Sequence, residues 1–199
     1  IGYDAGTAIT TSDDNVAIGY KALETLTTSE DNVAIGAYAL QVNTNQANTA
    51  IGRSALTSCT TGQYNSAFGK HSIYSVTTGS HNVGFGQGAG SSLTTGNYNI
   101  LIGKTAGWQS GNSNNLATGS NNILIGHESL PSSSSVSNEI TLGDTNITKF
   151  RVPGLNFVIK DSTATDNYVL TVDANGEAGW EAAAGGGGAS AINDLSDAK

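Results

Sequence analysis

Residues 15–40 read NVAIGYKALETLTTSEDNVAIGAYAL, the same phrase twice within a few dozen positions, each time with a glycine after an apolar pair. Taking the apolar residue before that glycine as position 0 gives Ile1, Ile18, Ile35, Ile51, Phe68, Phe85, Ile102, Ile125 and Leu142. Their spacings are 17, 17, 16, 17, 17, 17, 23 and 17 residues. The period therefore holds along most of the chain, with one six-residue insertion between Ile102 and Ile125. The consensus is N-x-A-I-G-x-x-A-L-x-x-x-T-T-G-x-x. Asparagine occupies position −3 in seven consecutive copies: Asn15, Asn32, Asn48, Asn65, Asn82, Asn99 and Asn122. Position +5 holds Leu23, Leu40, Leu56, Ile73 and Leu130, with Gly90 and Gly107 in two copies.

Such a period is too short for a helical hairpin or a propeller blade, and long enough for one coil of two short strands and two turns. The expected fold class is all-β, a parallel β-solenoid (β-roll). One coil cannot bury its own apolar face, so stacking at about 4.8 Å supplies both the core and the backbone hydrogen bonds. The asparagine column is expected to bond along the stack or to hold a turn. Composition agrees: 26 glycines, two prolines and 12% charged residues suit turns and short strands.

Side chains two apart on a strand share a face. Val16 and Ile18 point one way and Ala17 the other, and the Ala17 position repeats as Ala34, Ala50, Ala67 and Gly84 before becoming Leu101 and Leu124. Apolar residues on both faces imply that both are buried. One face is then the solenoid's own core and the other is covered by a second copy of the chain. The small alanine column is expected to be a burial that a monomer would leave unexplained. A homo-oligomer follows, side by side or intertwined.

The phrase N-x-[VA]-A-I-G-x-x-[AS] resembles the head repeat of trimeric autotransporter adhesins, and the longer NTAIGRSALTSCTTGQYN (residues 48–65) is still more similar to repeats of phage and viral tail-fibre proteins. The resemblance covers residues 1 to about 147. It implies a homotrimer, an extracellular location on a virion or cell surface, and a role in host attachment.

The repeat region is expected over residues 1–147. A β-hairpin capping or junction module over residues 148–182 follows, with a turn at Asn175-Gly176 and a core including Phe150, Phe157 and Trp180. A glycine-rich linker is expected over residues 183–199.

A formal charge of −8 disfavours nucleic acid, and the absence of an apolar run near 18 residues disfavours membrane insertion. The lone Cys59 allows no internal disulfide. No cofactor or metal is expected, since His71, His81 and His127 fall at different repeat positions. GFGQGA (residues 84–89) imitates a dinucleotide fingerprint but lies in phase with the repeats, and no catalytic constellation can be placed, so no enzyme is expected.

Candidate receptor or glycan contacts lie at positions +2 and +3, where all four lysines and arginines before Lys149 are found. These contacts are Tyr20, Lys21, Tyr38, Arg53, Lys70, His71, Lys104 and His127. Trp108, in the insertion, is a ninth candidate: it either stacks on a sugar ring or tucks back over the space left by Gly107. Two rival functions are an ice-binding solenoid using the threonine column Thr10, Thr27, Thr44, Thr60, Thr77 and Thr94, and a polysaccharide-cleaving fibre.

Overall fold

The structure, a computed structural model, describes residues 1–151 and two further strands over residues 168–172 and 178–182. Ile1–Phe150 form one compact unit and Arg151–Lys199 a second.

The first unit is the β-solenoid. Each repeat contributes one three-residue strand ending at position 0: β1 (Val16–Ile18), β2 (Val33–Ile35), β3 (Thr49–Ile51), β4 (Ser66–Phe68), β5 (Val83–Phe85), β6 (Ile100–Ile102), β7 (Ile123–Ile125) and β8 (Ile140–Leu142). They form one parallel sheet in sequence order. Register advances by one repeat per step, and the irregular coils keep it: Ala34 pairs with Ala50 across the 16-residue spacing, and Leu101 with Leu124 across the 23-residue one.

The expectation of two strands per coil is corrected to one. Beyond position 0 the backbone turns left-handed at +3 and +5, with φ of 62° and 48° at Tyr38 and Leu40 and 59° and 46° at His71 and Ile73. Alternating left-handed residues cannot form a pleat. The turn backbone still bonds along the stack, as where the Leu40 N–H donates to the Ala55 carbonyl at 3.1 Å and the Thr60 N–H to the Thr77 carbonyl at 3.0 Å. The glycine after position 0 is required twice over: Gly69 has φ of +131°, and a Cβ there would lie 2.6 Å from the carbonyl carbon of Gly86 in the next coil.

The assignment of faces is also corrected. The alanine column points inward and is buried by its own chain: Ala34, Ala50, Ala67, Leu101 and Leu124 are almost wholly inaccessible, packed in one cluster with Leu23, Leu40, Leu56 and Ile73. Its burial needs no second copy. The column left open is the other one, with Val16, Ile18, Phe85, Ile102, Ile125 and Leu142 all exposed.

Core volume is conserved while the side chains that supply it change places. An alanine at the strand centre faces a leucine at +5 in the early coils. In the β6 coil Leu101 is large instead, and it fills the space above Gly90 and Gly107, with its Cδ2 3.1 Å from where a Cβ of Gly107 would stand. A second core column at +8 carries Leu26, Cys59, Val76 and Leu93, and Leu116 joins the same buried cluster. Burial pushes the Cys59 thiol up to about 12, consistent with the packing role the sequence suggests.

The asparagines form a continuous buried ladder. The Oδ1 of each accepts from the backbone N–H of the next, at 3.0 Å for Asn65 to Asn48, Asn82 to Asn65 and Asn99 to Asn82. In Asn65, Asn82 and Asn99 the Nδ2 donates both to the preceding asparagine's Oδ1 and to the glycine carbonyl of the following turn, as in Asn82 to Gly96 at 2.9 Å. In the 16-residue coil, which lacks that glycine, Asn32 Nδ2 donates to the Glu30 carbonyl at 3.0 Å, and a buried Asn43 bridges the ladder: its Nδ2 donates to Asn32 Oδ1 at 3.1 Å, and its own Oδ1 accepts from Asn48 Nδ2 at 3.4 Å. Among the described residues no buried side-chain polar atom lacks a partner.

In the second unit β9 (Tyr168–Val172) pairs antiparallel with β10 (Ala178–Ala182), Trp180 opposite Leu170. Both strands fall within residues 148–182. The Asn175-Gly176 turn, Phe157 and residues 183–199 lie outside the described residues. Phe150, expected in a hairpin core, is instead 70% exposed.

Two stability outcomes follow from these contacts. Asn82→Ala strands the N–H and Nδ2 of Asn99 and the Gly96 carbonyl, and is expected to cost about 3 kcal/mol, read as a lowered denaturation midpoint. Gly90→Leu alone clashes with Leu101 and is expected to destabilise; combined with Leu101→Ala it restores the arrangement of the earlier coils. A double-mutant cycle should therefore show favourable coupling of about 1–3 kcal/mol, and additive effects would refute the exchange.

Candidate functional site

The residues at +2 and +3 do not form the single stripe that the repeat suggests. The glycine at +1 and the left-handed residue at +3 turn the chain so that neighbouring side chains diverge. Position +2 stands outward: Tyr20, Arg53, Lys70, Gln87, Lys104 and His127 are exposed. Position +3 is withdrawn, with Lys21, Tyr38 and His71 half-buried and Ser54 and Thr105 buried.

The withdrawn column forms one wall of an open groove of about 810 Å³. Position +6 lines the same groove beside it, where Gln41, Thr57, Tyr74, Ser91 and Trp108 stand in successive coils. The groove brings together Tyr38, Arg53, His71 and Trp108 of the expected contacts. Tyr20, Lys21, Lys70, Lys104 and His127 do not line it.

Lys21 is not a free cation. Its Nζ lies 2.6 Å from Glu24 Oε1, and this hydrogen bond raises the lysine's pKa. Glu24 Oε2 also accepts from Gln41 Nε2 at 2.7 Å, and that bond, ahead of Lys21, holds the carboxyl below its ordinary value. His127 lies 3.7 Å from Glu128. For His71, burial first, then the charges of Lys70 and Arg53, lower the pKa from its ordinary value. Its ring packs at 5.3 Å against Tyr74, forming a mixed aromatic wall.

Trp108 follows neither sequence alternative fully. The space over Gly107 is taken by Leu101 and Leu116, and the half-buried indole lies on the groove instead. The inserted loop folds on itself, with the Gln109 N–H donating to Asn115 Oδ1 at 2.7 Å and Asn115 Nδ2 donating back to the Gln109 carbonyl at 3.0 Å. The Leu116 N–H then closes on the Gly107 carbonyl at 3.0 Å.

Two features escape the sequence reading. Tyr74 stands at +6, a position whose other occupants are mostly polar. Tyr64, His81 and Tyr98, all at −4, stack as an exposed aromatic ladder with centroids 4.9 Å apart at each step. Aligning the repeats at −4 and +6 gives the signal for both. The acidic residues Asp13, Asp14, Glu30 and Asp31 are exposed, and no metal-ligating cluster occurs among the described residues.

The chain matches no protein-family model, no curated protein and no solved structure.

In a Trp180→Phe chain, Trp108 is the sole tryptophan. Acrylamide is expected to quench its emission readily, because the indole borders an open groove. A blue-shifted emission that acrylamide does not reach would remove Trp108 from any contact surface.

Proposed function

We propose that the chain is a segment of a homo-oligomeric fibre, on a virion or cell surface, that attaches to a host surface through repeated weak glycan contacts. The observation that carries this reading is the outer column of the sheet. Apolar side chains at position 0 and two residues before it run unburied from β1 to β8, broken only by Thr49 and Ser66 at the latter position. A contiguous exposed apolar strip of this kind marks a contact surface. Its spacing of about 4.8 Å per coil is matched step for step by another copy of the same chain. The resemblance to adhesin heads and tail-fibre repeats supports three copies and an attachment role. Three parallel chains would repeat each surface feature around the axis and along it, so that contacts too weak singly would hold together.

The ice-binding rival draws no support from the threonine column. The hydroxyls of Thr10, Thr44, Thr60, Thr77 and Thr94 donate to backbone carbonyls of the next coil, at 3.2, 2.9, 3.1, 3.4 and 2.9 Å. A ladder that knits the turns together accounts for them. The cleaving-fibre rival needs paired carboxylates, and the repeats supply no matched Asp or Glu column.

Sedimentation of the native particle is expected to give three chain masses. Ile102→Lys with Ile125→Lys should yield monomers whose circular dichroism is unchanged. A native monomer at micromolar concentration would overturn the assembly. For attachment, replacing Lys21, Arg53, Lys70 and Lys104 together with Gln should leave folding intact and abolish binding to host cells; unchanged binding would reduce the basic positions to solvated surface.

A further inference from the structure

The exposed basic contacts Arg53, Lys70, Lys104 and His127 run from the β3 coil to the β7 coil, and the groove lined by the +3 and +6 columns is confined to the coils that begin with β2 to β6. Four steps along the stack give it a length of about 19 Å. That is too long for one sugar ring and suited to a short chain of them.

Both ends are closed by the chain's own chemistry. One coil before the groove, Lys21 and Glu24 pair across the two columns, with Gln41 donating to the same carboxylate. One coil beyond it, Glu128 Oε2 accepts from Gln109 Nε2 at 3.1 Å, in the inserted coil that also carries Trp108. Glu24 and Glu128, the carboxylates that flank the groove on these columns, are therefore outside it and engaged. None lines the groove itself, although the chain carries 16 acidic residues against eight lysines and arginines.

The interior alternates aromatic and small groups. Tyr38 stands in the first coil, Tyr74 in the third and Trp108 in the fifth. Between Tyr74 and Trp108 the β5 coil lines the groove with Gln87, Gly88, Ser91 and Ser92, small or polar groups between two ring-bearing coils. Among the described residues, the Tyr38 and Tyr74 hydroxyls and the Arg53 guanidinium make no hydrogen bond or ion pair, so their capacity is available to a ligand.

We propose that this groove binds an acidic oligosaccharide, its rings lying against Tyr38, Tyr74 and Trp108 and a sugar carboxylate meeting Arg53. Apolar faces of pyranose rings pack on aromatic surfaces while their hydroxyls need the polar groups that stand between. A planar guanidinium without a carboxylate partner matches a sugar carboxylate through two parallel hydrogen bonds. Lys70, on the outer column beside His71, adds field without entering the groove. The proposal deepens the attachment reading and rests on its glycan component.

The test is calorimetric titration of the native particle with trigalacturonate, sialyllactose and uncharged maltotriose, with host-cell binding measured in parallel. At least one acidic sugar is expected to bind, and more tightly than maltotriose. Tyr74→Ala and Trp108→Ala, both at exposed or half-buried side chains that leave the coil ladder untouched, should each weaken binding about tenfold. Arg53→Gln should abolish the preference for acidic over neutral sugar while circular dichroism stays native. If the native particle binds cells but none of these acidic sugars at millimolar concentration, or binds them with no loss in the three variants, the groove assignment is wrong and attachment uses another surface. If the particle binds neither sugars nor cells, the attachment reading falls with it.

Discussion

The asparagine ladder is the interaction on which the rest of the molecule depends. A solenoid coil has no internal sheet, so its backbone must be satisfied by the coils above and below. The strand segment does this over only three residues per coil, and the following turn, full of left-handed residues, is a poor template for pairing. A buried amide at −3 fixes both edges of that arrangement at once. Its Oδ1 takes the N–H that enters the next strand, and its Nδ2 reaches back to the preceding asparagine and across to the carbonyl of the T-T-G turn. Because one step of the ladder spans one coil, it sets the register that the apolar columns then exploit. A slip of one residue would turn every core side chain outward.

Given that register, the core tolerates exchange so long as each layer stays filled. The move from Ala67 with Ile73 to Leu101 with Gly90 and Gly107 transfers volume from one wall to the other. Coil length varies for the same reason. The short coil drops a glycine, and Asn43 bridges the side chains of Asn32 and Asn48; the long coil lets its extra residues out between Gly107 and Leu116 and closes the gap with one backbone bond. In both cases the change lies in the turns, where solvent accepts what the sheet cannot.

Surface chemistry inherits the translational order. A column that repeats one side chain makes a ladder, as with the threonines; a column whose occupant changes makes a local site. The groove arises because +3 and +6 change together over five coils, with ion-paired or amide-bridged residues at either end. The apolar residues at position 0, by contrast, are uniform along their full length.

The period, the parallel coil stack and the asparagine column were all legible in the residues, because each follows from strict recurrence at 17 positions and recurrence survives without coordinates. Alternation also showed that two faces of the strand are apolar. Which of them lies inside was decided only by the tertiary structure. The left-handed residues at +3 and +5 fold the turn back over the alanine side and bring Leu40, Leu56 and Ile73 onto it, and nothing in the strand's own alternation fixes that direction. The same backbone reversals divide the expected basic stripe into an exposed column and a withdrawn one, engage Lys21 with Glu24, and set Tyr74 beside His71. These are contacts between columns, and a linear repeat records only what happens within one.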